Sequence, residues 1–408
     1  MEQLIGSLMF GQSGGPTAVI NASALGVISE AFKHKCITKV YGLRHGIKGL
    51  LNEQFLDMAT VNKNELELLK NTPSSALGSV RYKLANPEEN DTDFKKILEV
   101  FKKNNVRYFL YNGGNDSMDT CSKVERYLKT QNYDCRVIGV PKTIDNDLFG
   151  TDHCPGYGSA AKYLAISCME IHHDARVYDS GAITVLEIMG RNAGWLTAAT
   201  AIASYAGQGP DLIYLPESVF SVEKFLIDVE KVFKKNGNAI IAVSEGIRDK
   251  DGKYIAEYAQ DVSRDAFNHS QLGGCAAYLA SLCKSNLKVK TRAIEFSLLQ
   301  RCAAHCASKT DVNEAFQAGS FAVKQATEGK SGHMVAFERD NGKKYKCNYI
   351  LQPLECVANK ERKVPKEYIS KEENYIEKSF LDYVLPLIQG ENSPPFENGL
   401  PVFVNLKK

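Results

Sequence analysis

An excess of charge of either sign is missing from this chain: 50 Lys+Arg stand against 48 Asp+Glu, a formal net charge of +2 over 408 residues. Without a strong field of one sign, nucleic acid and anionic lipid surfaces are not expected as partners. Long hydrophobic runs are missing too. None approaches the ~18 residues that a membrane span needs, so no membrane association is expected. The apolar stretch from Leu4 to Phe10 is broken by Gly6 and Ser7 and runs into a glycine loop. That suits a first buried strand and is too short for a signal-peptide core. The 11 cysteines are odd in number and contain no CxxC pair, and a chain of this length needs no disulfide staples. A reducing compartment, and hence a cytoplasmic address, is expected. Internal repeats and low-complexity tracts are absent, and 31 Gly with 13 Pro is near average usage, which sets disordered and fibrous classes aside.

What is present is a globular composition, 44% apolar and 24% charged, on a length that allows roughly two or three lobes with substantial cores. Short apolar runs alternate with helix-period segments, the pattern of parallel sheets covered by helices. Strands are expected at Leu4 to Phe10, Lys39 to Leu43, Arg107 to Asn112, Arg136 to Val140, Ala182 to Ile188, Asp211 to Leu215 and Ala239 to Ser244. Between them the spacing predicts helices over Ala18 to Phe32, Asp91 to Asn104, Ser117 to Leu128, Ser159 to His172, Leu196 to Tyr205, Val222 to Lys235, Gly273 to Lys284 and Asp311 to Glu328. In the helix from Asp91, Phe94, Ile97, Leu98 and Phe101 form one apolar stripe, and Asp91 is placed to cap it. The expected fold is α/β: two Rossmann-like lobes with mainly parallel sheets flanked by helices, plus a C-terminal extension. The turn-rich stretch TIDNDLFGTDHCPGYGS suggests a crossing between lobes near residues 145 to 160. The expected division is 1–150 for the first lobe, 151–330 for the second, and 331–408 for an extension packed on the lobes.

Three loops stand where chemistry is carried. Gly11-Gln12-Ser13-Gly14-Gly15-Pro16-Thr17 joins a strand to a helix, where glycines let backbone N–H groups approach an anion at the helix N-terminus. It fits neither GxGxxG nor GxxxxGK[ST], and a plain tight turn is an equal alternative. In Tyr111-Asn112-Gly113-Gly114-Asn115-Asp116-Ser117, Asp116 or Ser117 is also able simply to cap the next helix. Pro141-Lys142-Thr143-Ile144-Asp145-Asn146-Asp147 combines two carboxylates, a lysine and a threonine, a set suited to a base, a metal ligand and a phosphate clamp, or to an Asx-rich turn. All three leave the carboxyl ends of expected parallel strands, where open α/β sheets bind ligands.

The segments SGGPTAVIN, GGNDS, PKTIDND, MGR at Met189 to Arg191, SEG at Ser244 to Gly246 and TRAIEFSLLQR at Thr291 to Arg301 occur in an order that resembles the phosphofructokinase family over about residues 4 to 325. The lysine of PKTIDND is similar to the diphosphate-dependent branch. The resemblance implies a reversible, Mg²⁺-dependent transfer of a phosphoryl group from diphosphate to carbon 1 of fructose 6-phosphate, in glycolysis or gluconeogenesis. It makes residues 1–150 the diphosphate-binding lobe and 151–330 the sugar-phosphate-binding lobe.

By the same resemblance, Asp145 is the base for the sugar 1-hydroxyl, Asp147 and Thr143 orient sugar and base, and Lys142 lies against the diphosphate. Gly14, Gly15, Asp116, Ser117 and Lys142 would bind the diphosphate, with Mg²⁺ near Asn115 and Asp116. Met189, Gly190, Arg191, Glu245, Arg292 and Arg301 would take the sugar phosphate, together with Thr143, Asp145 and Asp147. Planar arginine forks suit a phosphate dianion, although any one arginine alone is as readily a surface ion-pair partner. The sequence departs from the family pattern at Asn115, commonly aspartate, at Ala182, often an arginine reaching a neighbouring subunit, and at Leu298, usually histidine or tyrosine. A homodimer or homotetramer is implied. An ATP-dependent enzyme and a non-catalytic regulatory subunit remain the alternatives; joint retention of Lys142, Asp145, Asp147 and Arg191 argues against the second. His172, His173, Cys302, His305 and Cys306 lie in helix-period segments with no matching second pair and are expected to pack rather than bind metal, as is Trp195.

Overall fold

Two mainly parallel sheets, one of seven strands and one of four, organise the chain. The computed structural model describes residues 3–177, 179–259, 274–340, 342 and 344–406. In chain order the strands are β1 (Gly6–Gln12), β2 (Ile37–Leu43), β3 (Phe55–Asp57), β4 (Val106–Gly113), β5 (Arg136–Pro141), β6 (Ala182–Ile188), β7 (Leu212–Tyr214), β8 (Ala239–Ser244), β9 (Lys290–Glu295), β10 (Ala307–Ser308), β11 (His333–Arg339) and β12 (Cys347–Pro353). The larger sheet runs β12-β11-β5-β4-β1-β2-β3 and the smaller β7-β8-β6-β9. Only the outer pairs of the larger sheet, β2 with β3 and β11 with β12, are antiparallel. Every residue of β1, β6 and β8 is buried, which is why these strands read as mainly apolar runs and not as alternating ones.

The chain leaves the larger sheet after β5, builds the smaller sheet, and returns through the helix Lys309–Thr327, which packs along the helix Ile20–Ala31. Two glycines permit that approach: a Cβ on Gly26 would meet the Phe316 carbonyl at 2.0 Å, and one on Gly319 the Ser23 carbonyl at 2.1 Å. The described residues between 331 and 406 serve both sheets. β11 pairs in parallel with β5, while Phe380, Val384 and Leu387 join the core around Tyr157 and Trp195 beneath the smaller sheet.

Several local expectations change. Asp91 does not cap the helix Thr92–Lys103; its carboxylate pairs with Lys95 at 2.9 Å, and Asn90 Oδ1 instead accepts from the Thr92 N–H at 3.0 Å. Neither Asp116 nor Ser117 caps the helix Asn115–Thr130, which starts two residues before the expected Ser117, after Gly114. The helix expected over Leu196 to Tyr205 is two, Trp195–Ala199 and Ala201–Tyr205, interrupted at Thr200, whose hydroxyl donates back to the Thr197 carbonyl at 2.7 Å. The helix expected from Gly273 runs Cys275–Leu287, and Gly273 itself lies outside the described residues. Among the described residues no helix is long and apolar enough to cross a membrane.

Candidate active site

The turns that follow β1, β4 and β5 in the larger sheet and β6 and β8 in the smaller one line a single cleft of about 600 Å³. Its floor is the loop after β5. Lys142 is buried there, and its Nζ donates to the Gly15 carbonyl at 2.7 Å, tying that loop to the turn after β1. Gly14 adopts φ +71°, and a Cβ there would stand 3.3 Å from Lys142 Nζ; a Cβ on Gly15 would stand 2.8 Å from Arg301 Nη1. The glycines therefore leave their backbone open between two cations, a cradle shaped for an anion.

Burial lowers Lys142 to about 8, Arg301 and Arg81 push the same way, and Asp145 and Asp147 resist. Asp145 is raised above the usual carboxylate range by desolvation, against the pull of Lys142, Arg301 and Arg191. Asp147 is raised to about 7 by desolvation and then by the charges of Asp145 and Glu361. Thr143 Oγ1 accepts from the Asp145 N–H at 3.1 Å and so helps shape the loop. The loop thus presents a cation and two carboxylates whose ionisation is tuned toward neutrality, the condition for proton transfer near pH 7.

On the smaller-sheet side, the turn after β8 holds the turn after β6. Glu245 Oε1 accepts from the Gly190 N–H at 3.2 Å, and Ser244 Oγ donates to the Gly190 carbonyl at 2.6 Å. Gly190 has φ +130°, and a Cβ on Gly246 would lie 1.9 Å from the Arg191 carbonyl, so the two turns are in backbone contact. Burial raises Glu245 to about 7. Arg191 and Arg301 both face the cleft.

Asn115 donates through Nδ2 to Asp147 Oδ2 at 3.3 Å, which leaves its buried Oδ1 without a hydrogen-bond partner. With the Asp116 carboxylate beside it in the cleft wall, this amide oxygen belongs to an all-oxygen donor set of the kind a hard cation such as Mg²⁺ takes. The residues present fit such an ion.

Of the residues singled out in the sequence, Gly14, Gly15, Asn115, Asp116, Ser117, Lys142 and Thr143 line the cleft, as do Asp145, Asp147, Met189, Arg191, Glu245 and Arg301. Gly190 supports the wall from behind through Glu245. Arg292 stands apart: it lies on β9, outside the cleft lining, with Nη1 2.9 Å from Asp174 Oδ2. Sequence reasoning missed Arg81 and Tyr82, supplied by a loop with no motif, and Asn192, Asn359 and Glu361. Asn192 immediately follows MGR and was within reach of a longer reading; Glu361 comes from more than two hundred residues beyond the loop after β5 and carries no local signal.

Of the features set aside, Trp195 is 1% exposed, Cys306 is buried and His172 and Cys302 are half-buried, as expected, whereas His173 and His305 are exposed. His173 Nε2 pairs with Gln208 Oε1 at 3.1 Å, and Cys302 Sγ donates to the Leu298 carbonyl at 3.1 Å. Among the described residues the one cluster of three metal-capable groups is His153, Glu314 and Cys347, away from the cleft. Both Glu314 oxygens are already engaged there, by His153 Nε2 at 2.8 Å and the Tyr345 hydroxyl at 2.7 Å, which reads as a buried ion pair.

Comparison with known proteins agrees with this geometry. The phosphofructokinase family model matches residues 7–325. The chain is 43% identical to the pyrophosphate--fructose 6-phosphate 1-phosphotransferase of Halomonas elongata, covering 98% of this chain and 96% of that one. It is 43% identical to the protein of the same name from Methylococcus capsulatus, over 97% and 95% of the two chains. The crystal structure of a pyrophosphate-dependent phosphofructokinase from Nitrosospira multiformis superposes with a TM-score of 0.89 at 39% identity, covering 98% of this chain and 96% of that one. Matched along nearly its whole length in sequence and in fold, the chain belongs to the phosphofructokinase family.

Proposed function

We propose that this protein is a diphosphate:fructose-6-phosphate 1-phosphotransferase, moving a phosphoryl group reversibly from diphosphate to the carbon-1 hydroxyl of fructose 6-phosphate. The observation that carries the reading is one loop, Lys142 to Asp147, which shares a cleft with the Gly14–Gly15 turn and with Arg191 and Arg301. Lys142 bonded to Gly15 serves the donor anion, Arg191 on the turn after β6 serves the acceptor phosphate, and Arg301, which reaches Gly15, stands where the two anions meet. The names of the relatives at 43% identity point to the same donor and acceptor.

Asp145 takes the proton of the 1-hydroxyl as its oxygen attacks the terminal phosphorus of diphosphate, whose bridging oxygen leaves with phosphate. An alcohol is a poor nucleophile at neutral pH, so a carboxylate whose proton affinity is raised by desolvation is an apt base. Asp147 and Thr143 orient base and sugar. Lys142 and the amides of Gly14 and Gly15, with Ser117 nearby, offset the charge of the donor. Arg191, Arg301, Glu245, Met189 and Gly190 hold the sugar phosphate. Mg²⁺, held by Asn115 and Asp116, would withdraw charge from the diphosphate oxygens.

A homodimer or homotetramer fits the position of Arg292. It sits outside the cleft of its own chain, and Leu298 and Leu299 beside Arg301 are 56% and 58% exposed, an apolar edge suited to a subunit contact. Across such a contact Arg292 would reach a neighbour's sugar phosphate. The eleven cysteines are all free, which suits a reducing cytoplasm. Purified protein given fructose 6-phosphate with diphosphate or with ATP, in separate assays run in both directions, tests the reading. Fructose 1,6-bisphosphate formed with diphosphate supports it; product with ATP alone, or with neither, overturns it.

A further inference from the structure

The C-terminal extension reaches back to the catalytic loop. Residue 361 forms an antiparallel bridge with Leu148, and the Arg362 N–H donates to the Asp147 carbonyl at 2.7 Å. The Arg362 side chain then continues beneath the loop. Its Nε and Nη2 donate to the Asn146 carbonyl at 3.3 and 3.1 Å, Nη1 donates to the Asp152 carbonyl, and Nη2 reaches the Tyr383 hydroxyl at 3.1 Å. The guanidinium lies over the Trp195 ring, 4.3 Å from its centroid, and Trp195 Nε1 donates to the Arg362 carbonyl at 2.9 Å.

Asn146, between the two carboxylates, is fully buried with φ +56°, a left-handed conformation that asparagine tolerates better than most residues. Its side chain is turned away from the cleft: Nδ2 donates to the Tyr383 hydroxyl at 2.7 Å, and Oδ1 accepts from the Cys154 N–H at 2.9 Å. The peptide planes on both sides of Asp147, one ending in the Asn146 carbonyl and the other in its own, are therefore held by one arginine. The side chain of that arginine gives hydrogen bonds to two carbonyls and a phenol and, among the described residues, none to a carboxylate, while its main-chain N–H takes a third carbonyl, that of Asp147. Placing a charged fork on main-chain carbonyls is a costly way to gain stability alone, and an apt way to fix a backbone.

We propose that Arg362, seated by Tyr383 and Trp195, is a positioning residue of phosphoryl transfer: it locks the left-handed turn at Asn146 and so aims Asp145 and Asp147 into the cleft. Arg362 touches no substrate in this arrangement and acts only through the loop. The inference rests on the roles given above to Asp145 and Asp147. It adds that residues 359–362 of the extension complete the active site, with Glu361 forming part of the cleft wall and bonded through Oε1 to Asn192 Nδ2 at 2.7 Å. Misplacing a reacting group by about an ångström costs on the order of 10²-fold in rate even when binding is intact.

The test compares full-length wild type with Arg362→Ala, Arg362→Lys and Tyr383→Phe, measuring kcat and both KM values with diphosphate and fructose 6-phosphate, alongside thermal unfolding. Wild-type rates come first, so that failure of the functional reading, an inactive wild type, is distinguished from failure of this inference. Arg362→Ala is expected to lose roughly 10- to 100-fold in kcat, with both KM values within about threefold of wild type. Arg362→Lys, which keeps the charge without the fork, is expected to recover little. Millimolar guanidinium should restore part of the rate of Arg362→Ala where equal ammonium does not. Tyr383→Phe, which keeps the ring, is expected to lose several-fold in kcat alone. A kcat within twofold of wild type in folded Arg362→Ala or in Tyr383→Phe overturns the proposal, as do losses confined to KM or to the unfolding temperature. If Arg362→Ala does not fold, the lysine and phenylalanine variants decide.

Discussion

Asp145 and Lys142 share one short loop, yet the cleft acts on them in different ways. For Asp145, desolvation raises the carboxyl above the usual carboxylate range while Lys142, Arg301 and Arg191 draw it back. Asp145→Ser is expected to lower kcat by ~10²–10⁴-fold with the fructose 6-phosphate KM within a few fold, as for loss of a general base. Steady-state rates at neutral pH check this, and a near-normal kcat would place the base elsewhere. For Lys142, burial dominates and brings it down to about 8, so the side chain is a cation below that pH and neutral above it. In its proposed place against the donor it is expected to make kcat/KM for diphosphate fall as pH rises through about 8, whereas loss on the acid side, where Asp147 at about 7 and Asp145 take up protons, belongs to the carboxylates. Lys142→Arg should move that limb upward, since guanidinium stays charged. An ionisation of the donor itself would persist unchanged in the arginine variant, which separates the two causes.

At the scale of the element, the site is a set of turns braced against one another. The turn at Gly246 lies against the backbone of Arg191, with only 1.9 Å from a Cβ there to the Arg191 carbonyl, and backbone cannot swing aside as a side-chain tip does. Gly246→Ala is therefore expected to push the turn after β6 out of place and raise the fructose 6-phosphate KM by roughly tenfold or more, while the diphosphate KM stays within a few fold. Equal effects on both KM values would show that the two seats are not separately built.

Legibility in the sequence follows the same elements. β4, β5, β6 and β8 were readable because nearly every residue on both faces is buried and the runs are mainly apolar. β9 was not: its residues are half-buried or exposed and carry Lys290, Arg292 and Glu295, so no strand pattern forms. The larger sheet's far edge was hidden because pairing β11 with β5 joins residues nearly two hundred apart. In the site, residues within the glycine and PKTIDND loops were legible, since each loop brings its chemistry as a local string. Arg81, Asn359 and Glu361 were not, because the cleft borrows them singly from segments whose own sequence gives no reason to expect a role.

For the whole molecule, the proposed reading assigns donor choice to the part of the cleft built on the larger sheet, at Asp116 and Lys142. Asp116 is exposed in the wall formed by the helix after β4, and Lys142 lies buried opposite with its Nζ on Gly15. In the proposed arrangement diphosphate reaches only as far as Asp116 and its Mg²⁺, whereas the α-phosphate of a nucleotide would have to run past them. At about 4 Å, repulsion between two unit charges is about 1 kcal/mol in a water-like setting and about 4 kcal/mol at an effective dielectric near 20, so an exposed carboxylate disfavours the nucleotide by roughly one to three orders of magnitude. Lys142 adds a cation for a compact donor that has no adenine to contribute binding area. Wild-type protein is expected to use diphosphate and to show little activity with ATP. Asp116→Gly combined with Lys142→Gly should lower kcat/KM for diphosphate sharply and raise it for ATP, measured for both donors at saturating fructose 6-phosphate and Mg²⁺. Thermal stability gives an independent reading. A ligand at 100 times its dissociation constant stabilises the fold by ~2.7 kcal/mol, so diphosphate should raise the unfolding temperature of the wild type where equal ATP does not. If the donor ratio is unchanged in the double variant, or ATP stabilises the wild type as diphosphate does, discrimination lies outside Asp116 and Lys142.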